Sequence, residues 1–318
     1  ELKSTIDEAK DCPVKGVINA RQIQTELRDY FENGTQRGNI IKLEEIDKYI
    51  TWETGRLAIV SGEPGSGKSE FVDFLLTKLN LIYGWKSAIF TPENFPLKYH
   101  YEKIYEKLIG KKFNAKFSSD LEFDMAIDHI SENMFWVMND EDFTLDNILE
   151  GAKFLVKNKG IKILVIDPYN KIDHQYDRNI TETQYISKFL DKLIMFGKLN
   201  DILVILIAHP KKIDTSQVPT LYDISGSANF YNKCDYGFTV KRRRNDDNVM
   251  NNEVDIFWQK IKFKHLGEQG ISHLKYNYHN GRYETGIVDN WDNSNWLIKD
   301  IPSINNDNAD EYSDVAPF

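Results

Sequence analysis

Leu57-Ala58-Ile59-Val60-Ser61-Gly62-Glu63-Pro64-Gly65-Ser66-Gly67-Lys68-Ser69 is the stretch on which the fold turns. Its first five residues read as a buried strand. Gly62 to Ser69 then match G-x-x-x-x-G-K-[ST] at every fixed position. The next residues, 68–82, read as a helix with Phe71, Phe74, Leu75 and Leu79 on one face. A glycine-rich turn between a strand and a helix is the context this pattern needs. The loop containing Gly62, Gly65, Ser66 and Gly67 lets backbone N–H groups turn inward on phosphates, and the helix N-terminus adds its dipole. Lys68 is placed to reach the β- and γ-phosphates of a nucleoside triphosphate, and Ser69 to ligate Mg²⁺.

Outward from this stretch, strand and helix alternate. Strands are expected at 87–91, 134–138, 161–166 and 202–208, and helices near 97–109, 120–131, 144–158 and 181–198. Continuous apolar strands between helices predict an α/β fold whose mostly parallel central sheet is covered on both faces. After about residue 236 the pattern changes to strands joined by polar turns (236–240, 254–263, 273–278 and 282–284), an antiparallel C-terminal extension of that sheet.

In such sheets ligands bind beyond the carboxyl ends of the strands. Asp167 ends the apolar run 161–166 and is the expected second metal carboxylate, although a buried strand also ends in Asp simply to start a turn. Glu93 comes just after the strand expected at 87–91, in Thr91-Pro92-Glu93, where it would orient and activate the attacking water; the plain alternative is a solvated loop residue. His209 ends the run 202–208. It reads as a donor to the γ-phosphate or as a capping or core histidine.

The chain has 318 residues, net charge −9 and 41% hydrophobic composition, enough for one large α/β domain with modest extensions. Its acidity predicts that nucleic-acid binding, if present, is local rather than spread over the surface. Two cysteines, Cys12 and Cys234, form no Cys-x-x-Cys, which argues against a disulfide framework or a zinc site and for a reducing compartment. No apolar stretch approaches the ~18 residues needed to span a membrane, and no signal peptide is seen. A cytoplasmic location, in a bacterial or phage-infected cell, is the expectation. Residues 1–50 read as a polar linker. In it Ile23, Leu27, Tyr30 and Phe31 mark one amphipathic helix, able to pack on its own domain or on a neighbouring subunit. Residues 51–298 form the main domain. The tail 299–318 is acidic, expected to be disordered, and ends Asp314-Val315-Ala316-Pro317-Phe318.

The order of Gly62–Ser69, Thr91-Pro92-Glu93, Asp167, His209-Pro210-Lys211-Lys212 and Ser225-Gly226-Ser227-Ala228 resembles the ring helicases of the DnaB-like superfamily, particularly phage and Twinkle-type primase–helicases. The likeness runs from about residue 13, at Pro13-Val14-Lys15-Gly16-Val17, to 285. It implies a RecA-like core, ATP or another NTP or dNTP with Mg²⁺ held between subunits, and a homo-hexameric ring around single-stranded DNA. The family's catalytic glutamate falls on Glu93 and its phosphate-sensing histidine on His209. A residue coupling phosphate to the DNA loops falls on Asn232. The trans-acting basic pair falls on Lys262 and Lys264, where the usual finger is Arg; Arg242, Arg243 or Arg244 is the alternative. Lysine lacks the bidentate fork of arginine. Tyr276 lies where an aromatic ring stacks on the base, and equally suits packing. DNA-contacting loops are expected at Lys211 and Lys212 and at Ser225, Gly226, Ser227 and Asn229, chemistry suited to a sequence-blind grip on phosphates. Lys211-Lys212 also reads as a solvated loop. The acidic tail is a candidate docking peptide for a DNA polymerase or another replication protein.

The resulting expectation is an ATP-dependent replicative DNA helicase that translocates on single-stranded DNA. Its rivals are a RecA-like ATPase of recombination and a non-unwinding regulatory or loader ring.

Overall fold

A computed structural model describes residues 18–138, 142–174, 179–211, 217–224, 228–286 and 291–298. Lys212, Ser225, Gly226, Ser227, the stretch at Pro13 and the acidic tail lie outside the described residues. The chain divides into two units, Glu1–Arg37 and Gly38–Phe318.

The first unit carries helix α1 (Gln24–Asn33), which has no buried residue. Leu27, Tyr30 and Phe31 stand exposed, so the expected apolar stripe is present. Gly34 ends the helix at φ 69°, donating its N–H to the Tyr30 carbonyl, a conformation that glycine adopts without a Cβ clash.

Among the described residues the second unit has nine strands: β1 (Leu57–Ser61), β2 (Lys86–Phe90), β3 (Met134–Trp136), β4 (Ile161–Ile166), β5 (Leu203–Ile207), β6 (Tyr236–Arg244), β7 (Met250–Ile261), β8 (Gly270–Tyr276) and β9 (Tyr283–Thr285). They form one sheet in the order β3-β2-β4-β5-β1-β6-β7-β8-β9. Pairing is parallel from β3 through β6 and antiparallel from β6 to β9. The α/β class expected from the sequence, parallel with an antiparallel C-terminal extension, is the one observed.

The helices are α2 (Glu44–Asp47), α3 (Lys68–Tyr83), α4 (Lys98–Ile109), α5 (Asp120–Asn133), α6 (Leu145–Lys159), α7 (Glu182–Asn200) and α8 (Asn229–Lys233). Their ends reflect local chemistry. Ser119 with Glu122, and Thr181 with Gln184, form capping boxes that start α5 and α7. Left-handed Gly84, Gly110 and Gly160 stop α3, α4 and α6.

Both faces of the central parallel strands are dry along most of their length, and the pleat sorts their side chains by a period of two. Ile163 and Val165 of β4, with Leu203, Ile205 and Ile207 of β5, enter the core beneath α3, α4 and α5. Leu164 and Ile166, with Val204, Leu206 and Ala208, enter the opposite core under α6, α7 and α8. This two-sided burial explains why these runs carry no polar residue at their centres. The antiparallel end of the first core is aromatic: Phe71 meets Phe238, Trp258 and Tyr283 with ring centroids 5.8, 6.3 and 5.5 Å away.

Residues 38–50 fold with this second unit. Ile41, Ile46, Ile50 and Trp52 are completely buried. Asn39 bridges Trp52 and Ile50 bridges Gly267. At Gly267, φ 142°, a Cβ would collide with the Tyr49 carbonyl. Among the described residues no helix is long and apolar enough to cross a membrane.

Candidate active site

Strand order brings the site together. β2, β4, β5 and β1 are successive neighbours. Their carboxyl ends lead into Glu93 in the single turn Pro92–Asn94, Asp167, His209 and the loop Gly62–Gly67. Residues distant in sequence thereby share one edge of one sheet. Pro64, Gly65, Gly67, Lys68, Ser69, Glu93, Asp167 and His209 all line one cleft of about 490 Å³.

The loop is shaped by close approach. Gly62 sits at φ 147°, and a Cβ there would strike the Val240 carbonyl and the Ser66 hydroxyl. Gly67, at φ 89°, is the N-cap of α3 and would bring a Cβ to 3.1 Å from the Tyr283 hydroxyl. The Lys68 ammonium donates to the carbonyls of Gly62 and Glu63, both at 2.9 Å. Burial pulls its pKa down to about 8 against the opposing pull of Asp167, Glu93 and Glu63. A buried ammonium satisfied only by carbonyls is short of negative charge, and a phosphate chain would supply it.

Asp167 has the complementary deficit. It is almost fully buried. Burial lifts its pKa to about 6, although the Ser69 hydroxyl hydrogen-bonds it and Lys68 lies near. A dry carboxylate beside a serine hydroxyl at a helix N-terminus fits a hard divalent cation such as Mg²⁺, with Ser69 and Asp167 as the holders. Glu93 keeps an open carboxylate, 3.8 Å from Lys171. His209 donates its backbone N–H to Asn170 Oδ1 at 3.5 Å. Its ring Nδ1 is buried with no partner among the described residues. Burial, and then nearby Lys68, hold its pKa below the ordinary imidazole value.

The antiparallel strands close the cleft with Arg242, Val254, Tyr276 and Tyr283. The three arginines that end β6 have separate fates. Arg242 lines the cleft, donating to the Asn251 carbonyl at 2.9 and 2.6 Å and to the Tyr278 hydroxyl. Arg243 pairs with Asp255 at 2.8 Å. Arg244 pairs with Glu63 of the loop at 2.8 Å. Tyr276 lines the cleft with its hydroxyl donating to Glu70 Oε2 at 3.2 Å, and its ring packs 5.1 Å from Tyr283. Glu70, Lys103 and Lys171 were not singled out from the sequence. Of these, Lys103 carried a readable sign: with His100 and Lys107 it recurs at i, i+3 and i+7 on one face of the helix expected at 97–109.

Other sequence candidates lie elsewhere. Lys262 pairs with Asp235 at 3.1 Å, and Lys264 makes no ion pair among the described residues. Neither lines the cleft. Lys211 is exposed, its N–H donating to the Asp223 carbonyl at 2.7 Å. A bridge between Pro210 and Ile224 brings the starts of the two expected DNA segments side by side. Asn229 opens α8, its side chain donating to the Thr183 carbonyl at 3.2 Å. Asn232 is on the same helix, its carbonyl accepting from Lys260 at 2.9 Å.

Comparison with known proteins agrees with this architecture. A family model described as the DnaB-like helicase C-terminal domain matches residues 39–285. The Twinkle homolog protein, chloroplastic/mitochondrial, of Arabidopsis thaliana is 35% identical over 301 residues, which make up 90% of this chain and 42% of that protein. The chain therefore spans under half the length of that relative. Among solved structures, one described as an ATPase domain matches with a TM-score of 0.70 at 17% identity, over 84% of this chain and 98% of that one. A DnaB-like replicative helicase, described with its interactions with primase, matches with a TM-score of 0.66 at 17% identity, over 89% of this chain and 70% of that one. At this identity the structural likeness speaks for the fold, a RecA-like core.

Proposed function

This chain belongs to the DnaB-like helicase C-terminal domain family, and from that we propose that it is the ATP-hydrolysing motor of a ring-forming replicative DNA helicase that moves on single-stranded DNA. The observation that carries this reading is the cleft in which Lys68, Ser69, Asp167, Glu93 and His209 meet from four neighbouring strand ends. Phosphoryl transfer asks the protein mainly for positioning and charge, and these residue types in this arrangement offer both.

The proposed roles rest on the chemistry of each group. The loop N–H groups and Lys68 hold the phosphates of ATP or another NTP or dNTP. Ser69 and Asp167 hold Mg²⁺, which neutralises charge on the phosphates. Glu93 takes up the proton of the attacking water. His209, which lines the cleft, donates to the γ-phosphate while it is present and responds to its loss. Asn232 and the adjoining segments with Lys211, Lys212, Ser225, Gly226, Ser227 and Asn229 carry that response to DNA. Lys262 and Lys264 complete the site of a neighbouring copy in a homo-hexamer, and Tyr276 packs against the base. Helix α1 docks its apolar stripe on a neighbouring subunit, and the acidic tail 299–318 recruits a polymerase or another replication protein.

The test is steady-state ATP hydrolysis across a range of protein concentrations, with and without single-stranded DNA. Turnover that rises steeply with concentration and is stimulated by DNA supports a motor with shared sites. Hydrolysis indifferent to DNA, or absent at every concentration, overturns the helicase reading in favour of a regulatory or loader ring. Lysine rather than arginine at 264 is the observation that keeps that second reading in play.

A further inference from the structure

Glu70, the residue after Ser69 on α3, receives two cations on one carboxylate. Lys107 Nζ lies 2.6 Å from Oε2 and Lys103 Nζ 2.9 Å from Oε1. The two lysines are four residues apart on α4 and so share its face toward α3. Their surroundings differ sharply. The Lys107 side chain has no exposure, whereas that of Lys103 is 35% exposed. A buried ammonium must keep its counter-charge, so Lys107 claims the Glu70 carboxylate and Lys103 is the surplus positive charge of the cluster.

That surplus lies on the candidate nucleotide cleft. Lys103 lines the same cleft as Lys68, Ser69, Glu93, Asp167 and His209. Its ammonium is also 3.5 Å from Asn94 Oδ1, on the residue next to Glu93. Bracing α3 against α4 does not require it. Lys107 already does so from within the core. His100 does so again, its Nε2 2.9 Å from Asp73 Oδ1 while its Nδ1 accepts from Trp136 Nε1 at 3.0 Å. A third, partly solvated brace would add little to stability.

We propose that Lys103 is a phosphate-binding cation supplied in cis, which leaves Glu70 to grip the terminal phosphate of the nucleoside triphosphate beside Lys68. The inference rests on the nucleotide reading above. It gives each subunit a second lysine of its own at the γ-phosphate, where the trans contribution of Lys264 is only a point charge. Lys103 shifts between two anions without stranding either. When it departs, Glu70 keeps Lys107 and the Tyr276 hydroxyl.

The experiment is titration of fluorescent ATP and ADP analogues, with Mg²⁺, into the wild-type chain and its Lys103→Gln and Lys103→Arg variants, with thermal unfolding run in parallel. Lys103→Gln is expected to weaken triphosphate binding by about 10–100-fold, the worth of a hydrogen bond to a charged group. Diphosphate binding should stay within about twofold and the unfolding midpoint close to wild type, because the contact is made to the terminal phosphate alone. Lys103→Arg should keep most of the triphosphate affinity. Equal losses for both nucleotides, no loss for either, or a large drop in the unfolding midpoint would overturn the proposal and leave Lys103 a brace. If the wild-type chain binds neither analogue, the nucleotide reading itself fails and takes this inference with it.

Discussion

In the parallel half of the sheet, β4 and β5 are apolar on both faces, and with β2 and β1 they deliver Glu93, Asp167, His209 and Gly62 only where the chain leaves the sheet. In the antiparallel half, β7 alternates buried Val254, Ile256 and Trp258 with the partly exposed Asp255, Phe257 and Gln259. That half meets the cleft through cross-strand partners, Arg242 opposite Val254 and Tyr276 opposite Tyr283. A sheet dry on both faces has nowhere to place reactive groups except its carboxyl edge. The ribbon instead reaches the cleft from its core-facing side, the side of buried Val254 and Tyr283. The candidate site is therefore concentrated at the parallel edge, while the antiparallel strands provide a wall and aromatic packing; on the proposed function, Lys262 and Lys264, just past β7, would serve a neighbouring copy.

Substitutions on the two halves can break this contrast. The largest effect is expected at Lys264. If it acts in trans, Lys264→Ala should lower turnover by about 10³, the low end for a trans cation because lysine offers no fork. Nucleotide affinity should hardly move. Unchanged turnover in hydrolysis assays at high protein concentration would return the antiparallel half to scaffolding alone.

Next comes packing. Trp258 is buried, its indole N–H donating to Ser272 Oγ at 2.8 Å. Trp258→Ala should cost about 3–5 kcal/mol in denaturant unfolding. Ile271, opposite Phe257 on the wetter face, is exposed, so Ile271→Thr should change stability by less than about 0.5 kcal/mol. Similar costs at both positions would mean that this ribbon is not one-sided.

A third effect is pH-dependent. The Asp167 pKa, about 6, lies above its ordinary 3.8. Ionisation of a carboxyl raised in this way works against the empty fold: stability falls as pH climbs from about 4 to about 6 and is constant above. A bound cation needs the ionised form, so the sign reverses for metal. Mg²⁺ affinity measured by calorimetry should be level above pH ~6 and drop about tenfold per unit below it. Affinity independent of pH down to ~5 would remove Asp167 from the metal site. The smallest effect is at Tyr276, whose hydroxyl meets Glu70. Tyr276→Phe should lower stability by about 1 kcal/mol and leave turnover close to wild type. A large loss of turnover would give this wall residue a chemical role.

The same contrast governs what could be read from the sequence. Parallel strands announce themselves as apolar runs, and the residues just past each run are site candidates, which is how Asp167, Glu93 and His209 came into view. α2 and α8, at four and five residues, are too short to show a helical period. Ile41, Ile46, Ile50 and Trp52 obey no single period either. Their burial depends on Gly267, far along the chain, letting the backbone near Tyr49 come close. Glu70 was hidden for the same reason, reading as an ordinary helix-surface charge until α3 and α4 are laid together, and Lys103 showed only the helix face it shares with His100 and Lys107. Lys107 is buried by that packing, not by anything in its own neighbourhood of sequence.

The most direct test of the central claim compares nucleotide binding and hydrolysis in the wild-type chain, Lys68→Ala and Glu93→Gln. The account predicts that the wild type binds and hydrolyses ATP, that Lys68→Ala does neither, and that Glu93→Gln binds normally while turnover falls by about 10²–10⁴. Wild-type turnover in Glu93→Gln would contradict it, because the strand-end carboxylate would then have no part in the chemistry.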